Sequence, residues 1–458
     1  MKLCFLPKPK TFGSARWAKR KEFKSTLKGQ GLILGKIGRK FLRYNDKEGS
    51  TIIFAPTRSG KGVGFVIPNL LDYRGSVLCT DPKGENYRIT KRHRKTYGDV
   101  FCLNISDPTD SAHYNPMDSI RTGDFHETDD AVMLAGLMIV PEKHSPAHWR
   151  NKATEWLAGF ILYVAHKYPD TPELRTLTEV RNITKSEADT FALLLEDMQE
   201  SLIAIVRETA TEILAMDNNP ECNGILSTLE KGTRPFGEGR AAAIISSKSD
   251  FSFNDFNSKI KTVYIVVPPE NLEQYSSYMR VITGLAISGL QREGKTSEFP
   301  PLLMLDEVAA LGYLEPLESG IAYLSSYARL VLVFQDVSQL KNIYPKADSI
   351  ISNTNCQIYF SVNEIGTAQG ISNRIGHKTI KSRSQGQSQA HDAILTHQQQ
   401  AGTAEAARLL IDPSEVTRLK IDEVIIFMKK ECIYPIFAKT FKYYEHASFK
   451  GKFDKWRG

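Results

Sequence analysis

Two short segments constrain the fold of this chain more than any others: Ala-Pro-Thr-Arg-Ser-Gly-Lys-Gly at 55–62 and Leu-Leu-Met-Leu-Asp-Glu at 302–307. Each sits at the end of an apolar, strand-like run. A loop of backbone N–H groups that opens a helix wraps phosphates, and a lysine within it reaches the terminal ones. A carboxylate at the end of a second buried strand helps to hold the metal, directly or through water. A glutamate immediately after it is placed to polarise the attacking water. Together the two segments point to an α/β nucleotide-binding fold, with ATP hydrolysis assisted by Mg2+ as the leading reading.

In the first segment, Ile52-Ile53-Phe54 runs into Pro56-Thr57-Arg58-Ser59-Gly60-Lys61-Gly62-Val63. The candidate nucleotide-binding residues are Thr57, Arg58, Ser59, Gly60, Lys61, Gly62 and Val63. Gly60 and Gly62 let the backbone approach phosphate closely, and Lys61 supplies a fixed positive charge. The usual pattern begins with Gly and ends with a Ser or Thr hydroxyl on the metal; here those places are Ala55 and Gly62. The hydroxyl ligand of the metal is therefore unassigned, and neither Thr57 nor Ser59 takes the role by spacing alone. In the second segment, Leu302–Leu305 does not alternate, as expected of a strand buried on both faces. Two adjacent carboxylates at its end are costly to bury unless metal, water or a cation compensates. Asp306 is the candidate metal-site carboxylate, and Lys61 and Glu307 are candidate catalytic residues, Glu307 as the base.

A third apolar run, Leu330–Phe334, ends at Gln335-Asp336. An amide there is able to bond both γ-phosphate and attacking water, which makes Gln335 the third catalytic candidate; a polar cap of the next helix is the plainer alternative. Asp81 closes a comparable run, 76–80, and starts the turn-rich Asp81-Pro82-Lys83-Gly84-Glu85-Asn86. Several strands ending in polar residues at one edge is where an open parallel sheet places its ligand.

No uninterrupted apolar stretch approaches the roughly 18–20 residues of a membrane helix. The richest, 131–140 and 281–290, read as buried helices. The six cysteines are dispersed, and Cys79, Cys102 and Cys356 fall in apolar runs, which fits a reducing cytoplasm better than a disulfide scaffold. His144 and His148 have the spacing of a zinc pair but lack the accompanying glutamate. Net charge +7 hides an asymmetry: residues 1–50 carry fourteen Lys and Arg against three Asp and Glu, and the remainder is net acidic. That basic arm reads as solvated surface, or as a contact for an anionic membrane or a nucleic-acid backbone, with Trp17, Phe23 and Phe41 suiting either contact.

Strand-like runs alternate with helical ones over 51–123, vanish over 124–239, and return over 240–458. The expected organisation is thus a basic arm at 1–50, a nucleotide-binding domain in two parts at 51–123 and 240–458, and an inserted all-α domain at 124–239. Within the insert, Thr184-Lys185-Ser186-Glu187 reads as a capping box before Phe191, Leu194, Leu195 and Met198. The segment 381–400, rich in Ser, Gln and Gly, reads as a flexible surface loop.

The motifs Gly13–Ala18, Pro56–Gly64, Asp81–Asn86, Tyr114–Pro116, Val266–Pro269, Leu305–Glu307 and Phe334–Asp336, in that order, resemble the type IV coupling proteins of bacterial conjugation and secretion, the TraG/TraD-like ATPases. The resemblance implies a RecA-like P-loop NTPase, with a mostly parallel sheet and an all-α insert that recognises substrate. It implies a homo-hexamer that binds ATP and Mg2+ and brings single- or double-stranded DNA, a relaxase or an effector protein to the secretion channel. Gly62 is common in this family's loop. Roles carry over to Lys61, Asp306, Glu307 and Gln335, while Arg329 and Arg234 are candidates for a charge reaching a neighbour's phosphate. Family members usually begin with transmembrane helices, and this sequence begins where those would end. Either the chain is a naturally soluble member, which would need a partner to reach the membrane, or the membrane segment was left out; the expected place is the cytoplasmic face of the inner membrane, with peripheral contact through the basic arm. Two alternatives stay open: an FtsK/HerA-like DNA pump, and a nucleotide-switched receptor with little hydrolysis.

Overall fold

The protein is described from a computed structural model covering residues 11–47, 49–141, 147–216, 219–294, 298–386 and 400–456. Its strands in chain order are β1 (Leu32–Ile37), β2 (Lys40–Tyr44), β3 (Thr51–Phe54), β4 (Val77–Thr80), β5 (Asp99–Asn104), β6 (Lys261–Val266) and β7 (Leu302–Leu305). After them come β8 (Arg329–Phe334), β9 (Cys356–Phe360), β10 (His377–Gly386), β11 (Gln400–Leu409), β12 (Glu423–Met428) and β13 (Cys432–Lys439). Eleven of them form one sheet in the order β2-β1-β13-β12-β9-β3-β8-β7-β4-β6-β5. From β9 to β5 every pairing is parallel; from β9 to β2 every pairing is antiparallel.

The parallel half follows from its sequence. β3, β4, β7 and β8 are buried along their whole length, as non-alternating runs covered by helices on both faces must be. Register then brings their C-terminal ends level: Phe54 pairs with Phe334, Leu305 with Leu332, and Thr80 with Leu305. The residues that follow these ends share one edge of the sheet.

Between β5 and β6 the chain runs through Glu127–Met138, Ala147–Lys167, Leu177–Thr184, Ala188–Gln199, Ala204–Ala215 and Pro220–Thr233, all helical. Ala147–Lys167 is the central helix, and its buried Trp156 donates its indole N–H to Glu212 at 2.9 Å. The apolar core of these helices is continuous with that of the sheet through residues such as Leu134, Leu137, Leu285 and Leu305.

Three expectations need correction. The basic segment is no arm over 32–44: it supplies β1 and β2, with Leu32, Ile33, Leu34, Leu42 and Tyr44 buried. The three aromatic residues singled out there face the protein, Phe23 in the core, Trp17 against Phe437 and Phe41 against Phe441. The capping box at 184–187 does not form. Thr184 ends the preceding helix, its hydroxyl donating to the Arg181 carbonyl, and Glu187 is the N-cap of Ala188–Gln199. The ends of the 381–400 segment pair in the β10–β11 hairpin, from His377 opposite Leu409 to Gly386 opposite Gln400; residues 387–399 lie outside the described residues.

Candidate functional site

β3 delivers the chain to the sheet edge, where the Ala55 N–H donates to the Phe334 carbonyl at 2.8 Å and ties the loop to β8. The loop then turns back through two left-handed residues, Arg58 (φ 63°) and Gly60 (φ 84°). Gly60 takes this conformation at no steric cost, whereas Arg58 is held there by the turn around it, including the Ser59 N–H donating to the Pro56 carbonyl. A helix opens at Lys61 with a wide π-type turn, Gly62–Val66, and continues as Ile67–Asp72. The first N–H groups of a helix lack intrahelical partners and favour an anion. Thr57 and Arg58 are exposed, and Val63 packs its side chain against the cluster of Phe441, Tyr443 and Phe449, so only its backbone is available to the loop. Ser59 is buried, and its hydroxyl has no hydrogen-bond partner among the described residues.

The Lys61 ammonium crosses to the end of β7, 2.8 Å from Asp306 Oδ1 and 3.6 Å from Glu307 Oε2. Burial works against its charge, but the two carboxylates outweigh burial and hold its pKa above the ordinary lysine value. Thr80, at the end of neighbouring β4, donates its hydroxyl to the Asp306 carbonyl at 2.7 Å and fixes the backbone there. Glu307 is left-handed (φ 64°, ψ 55°), a strained conformation for a side-chain-bearing residue, and it turns the chain out of β7 into Val308–Leu311. At the end of β8, Gln335 Nε2 donates to Glu307 Oε1 at 3.0 Å. Asp336 accepts the Gln339 N–H and caps Val337–Ile343. The helix-cap role weighed for this dipeptide thus falls to Asp336.

Lys61, Asp306, Glu307 and Gln335 are therefore one cluster at the C-terminal edge of β3, β8 and β7. Asp81, one strand further along, is buried and accepts the Tyr87 N–H at 2.8 Å. Burial, with Asp306 and Glu85 adding to it, pushes its carboxyl up to about 7. Gln339 was not foreseen: its side chain reaches both the Gln335 N–H (2.8 Å) and Glu307 Oε1 (3.5 Å). The signal for it was the Asp336-x-x-Gln339 spacing of a helix start.

Arg329 does not belong to this site. It starts β8 at the opposite edge, buried, with its guanidinium donating to the Tyr44 and Asn45 carbonyls at 3.2 Å each. Arg234 is exposed and lines a cleft of about 690 Å³ at the insert, with Lys231, Arg240, Glu270 and Glu273. His148 bonds Glu221 at 2.8 Å, and His144 lies outside the described residues.

A helix N-terminus, a lysine held by two carboxylates and an orphaned buried hydroxyl fit the phosphates of a nucleotide with a divalent cation. Residues 5–456 match the family model described as type IV secretory system conjugative DNA transfer. Protein VirD4 of Rhizobium radiobacter is 29% identical over 468 residues, covering 98% of this chain and 66% of that protein. Protein VirD4 of Agrobacterium fabrum (strain C58 / ATCC 33970) is 29% identical over 461 residues, covering 96% and 67%. The conjugal transfer protein TraG of Escherichia coli is 28% identical over 452 residues, covering 89% and 71%. The chain thus spans about two thirds of the length of its VirD4 relatives. The plasmid coupling protein TrwB in complex with ADP and Mg2+ superposes with a TM-score of 0.68 at 14% identity, covering 96% of both chains. That likeness shows the fold, the expected RecA-like α/β architecture.

Proposed function

The chain belongs to the type IV secretory conjugative DNA-transfer family, and from that premise we propose that it is an ATPase that couples DNA, relaxase or effector protein to a secretion channel. The observation that carries the hydrolytic part is the convergence of Lys61, Asp306, Glu307 and Gln335 on one sheet edge, from three strands far apart in sequence. The backbone of Thr57–Val63 and the Lys61 ammonium hold the phosphates of ATP. Asp306 carries Mg2+, which supplies neutralisation of phosphate charge when bound. Glu307 accepts a proton from the attacking water. Gln335 uses its Nε2 on Glu307, which leaves its Oε1 as an acceptor for that water. Lys61 is shared between carboxylates and phosphate, so nucleotide entry loosens its hold on Glu307.

The helical insert at 124–239 is the proposed substrate-recognition domain of a homo-hexamer at the cytoplasmic face of the inner membrane. Among the described residues no helix is long and apolar enough to cross a membrane. The basic N-terminal segment supports peripheral membrane contact in a narrower form than an arm. Arg20, Lys21, Lys24, Lys28 and Lys40 line one concavity, while nearby Glu22 and Asp46 are engaged by Arg16 and Lys430. Changing Lys21, Lys24 and Lys28 to Ala should weaken binding to phosphatidylserine vesicles by about 1 kcal/mol per charge. Equal binding by the triple variant at low salt would remove the membrane role.

The test of function is ATP turnover by the purified chain with and without single-stranded DNA, with mass followed by light scattering. DNA-stimulated turnover at a ring-sized mass supports the coupling ATPase. ATP binding without turnover, and delivery unaffected by Glu307→Gln, would leave a nucleotide-switched receptor instead.

A further inference from the structure

On the hydrolytic reading of this site, we propose that Gln339 is a positioning residue that sets both Glu307 and Gln335 before nucleotide arrives. Its two polar atoms are used in opposite senses. Gln339 Oε1 accepts the backbone N–H of Gln335 at 2.8 Å, and Gln339 Nε2 donates to Glu307 Oε1 at 3.5 Å. The amide orientation follows from its partners: a backbone N–H only donates and an ionised carboxylate only accepts, so the flipped amide would face donor to donor and acceptor to acceptor. Gln335 Nε2 meets the same Glu307 oxygen at 3.0 Å. One carboxylate oxygen thus takes two amide donors, and the residue bearing the nearer donor has its own backbone held by the residue bearing the further one. The triangle closes across two strand ends, since Glu307 follows β7 while Gln335 and Gln339 follow β8.

The base of the triangle is itself fixed. Asp336 accepts the Gln339 N–H at 2.8 Å, so Gln339 sits in the first turn of a capped helix. The next N–H along, that of Val337, donates to the Thr367 hydroxyl at 3.2 Å, and Thr367 donates to Glu364 at 2.6 Å. A glutamate in a left-handed conformation has its carboxylate direction set by its neighbours as much as by its own backbone. Gln339 supplies part of that direction. Because it is half-buried and its backbone cap does not involve its side chain, its replacement leaves helix and core intact.

Two variants separate its two contacts. Gln339→Ala removes both; Gln339→Glu keeps an oxygen for the Gln335 N–H but sets a carboxylate against Glu307. For Gln339→Ala the expected result is kcat lower by about 10–100-fold, as for other groups that orient a reacting residue, with the KM for ATP and nucleotide affinity within about twofold. In nucleotide-free protein, hydrogen exchange at the Gln335 amide should accelerate in Gln339→Ala and stay near wild type in Gln339→Glu, which nevertheless loses turnover. Turnover by Gln339→Ala within about twofold of an active wild type overturns the proposal, as does a kcat loss matched by lost nucleotide affinity. Unchanged Gln335 exchange in Gln339→Ala overturns the backbone contact. A wild-type chain that binds ATP without hydrolysing it overturns the hydrolytic reading, and the catalytic half of this assignment with it.

Discussion

The two ends of β8 carry polar residues of similar reach and do opposite work. At its start Arg329 donates to the carbonyls of Tyr44 and Asn45, joining the parallel half of the sheet to the end of β2. Just past its end Gln335 donates to Glu307, a side chain that is itself shared with Lys61 and Gln339. Arg329 closes on main-chain carbonyls. Gln335 keeps an acceptor to spare and contacts a group whose charge matters to chemistry. A polar residue flanking a buried strand is therefore no sign of a site in itself. Its partners distinguish the two cases: backbone carbonyls make Arg329 a joint, and the ionisable side chains around Gln335 are those of the proposed reaction centre.

The sharpest way to break this contrast is at the chemical end. Glu307→Gln should lower turnover by about 10²–10⁴-fold and leave ATP binding intact, because it removes a proton acceptor without removing the phosphate loop. Lys61→Ala should lose nucleotide affinity as well, measured by titration with a fluorescent ATP analogue. Gln335→Ala comes next, with a kcat loss of about 100-fold if its amide orients the water in the transition state. At the structural end the sign of the effect changes. Arg329→Met should cost about 1–3 kcal/mol in urea unfolding, since it strands the buried Tyr44 carbonyl and the half-buried Asn45 carbonyl, while turnover per folded molecule stays near wild type.

The last effect is a slope. Asp81 is held at about 7 in the fold against an ordinary value of 3.8. Between these values the unfolded chain has released a proton that the folded chain keeps, so Asp81's contribution to stability falls as pH rises through that window. In nucleotide-free protein, Asp81→Asn should flatten the decline in Tm between pH 4 and 7. Parallel slopes for the two proteins would mean that Asp81 is already ionised in the fold.

How much of this was legible in the sequence differs between the halves of the sheet for a physical reason. Strands buried on both faces show as unbroken apolar runs, so β3, β7 and β8 and the polar residues after them stood out together. β1 and β2 were hidden by the charges around them: Lys36, Arg39, Lys40 and Arg43 drew the reading to an arm, although Leu32–Leu34 and Leu42 pack inward. The β10–β11 hairpin gave no apolar period at all, because Ser, Gln, Ala and Thr residues pair there through the backbone. Arg329 was weighed as a charge for a neighbour's phosphate because sequence shows that it precedes a strand but not that its guanidinium is buried against the Tyr44 and Asn45 carbonyls. Gln339 went unread because the Asp336-x-x-Gln339 spacing marks a helix start but does not show that the side chain crosses the turn to Glu307.

The central claim is that chemistry resides at the C-terminal ends of the parallel strands and support at their N-terminal ends. The most direct test is steady-state ATP turnover by Glu307→Gln and Arg329→Met side by side, each normalised to the folded fraction by circular dichroism. The account predicts an inactive but nucleotide-binding Glu307→Gln and an Arg329→Met that is less stable yet turns over ATP like the wild type. An active Glu307→Gln, or a folded Arg329→Met as inactive as Glu307→Gln, would contradict it.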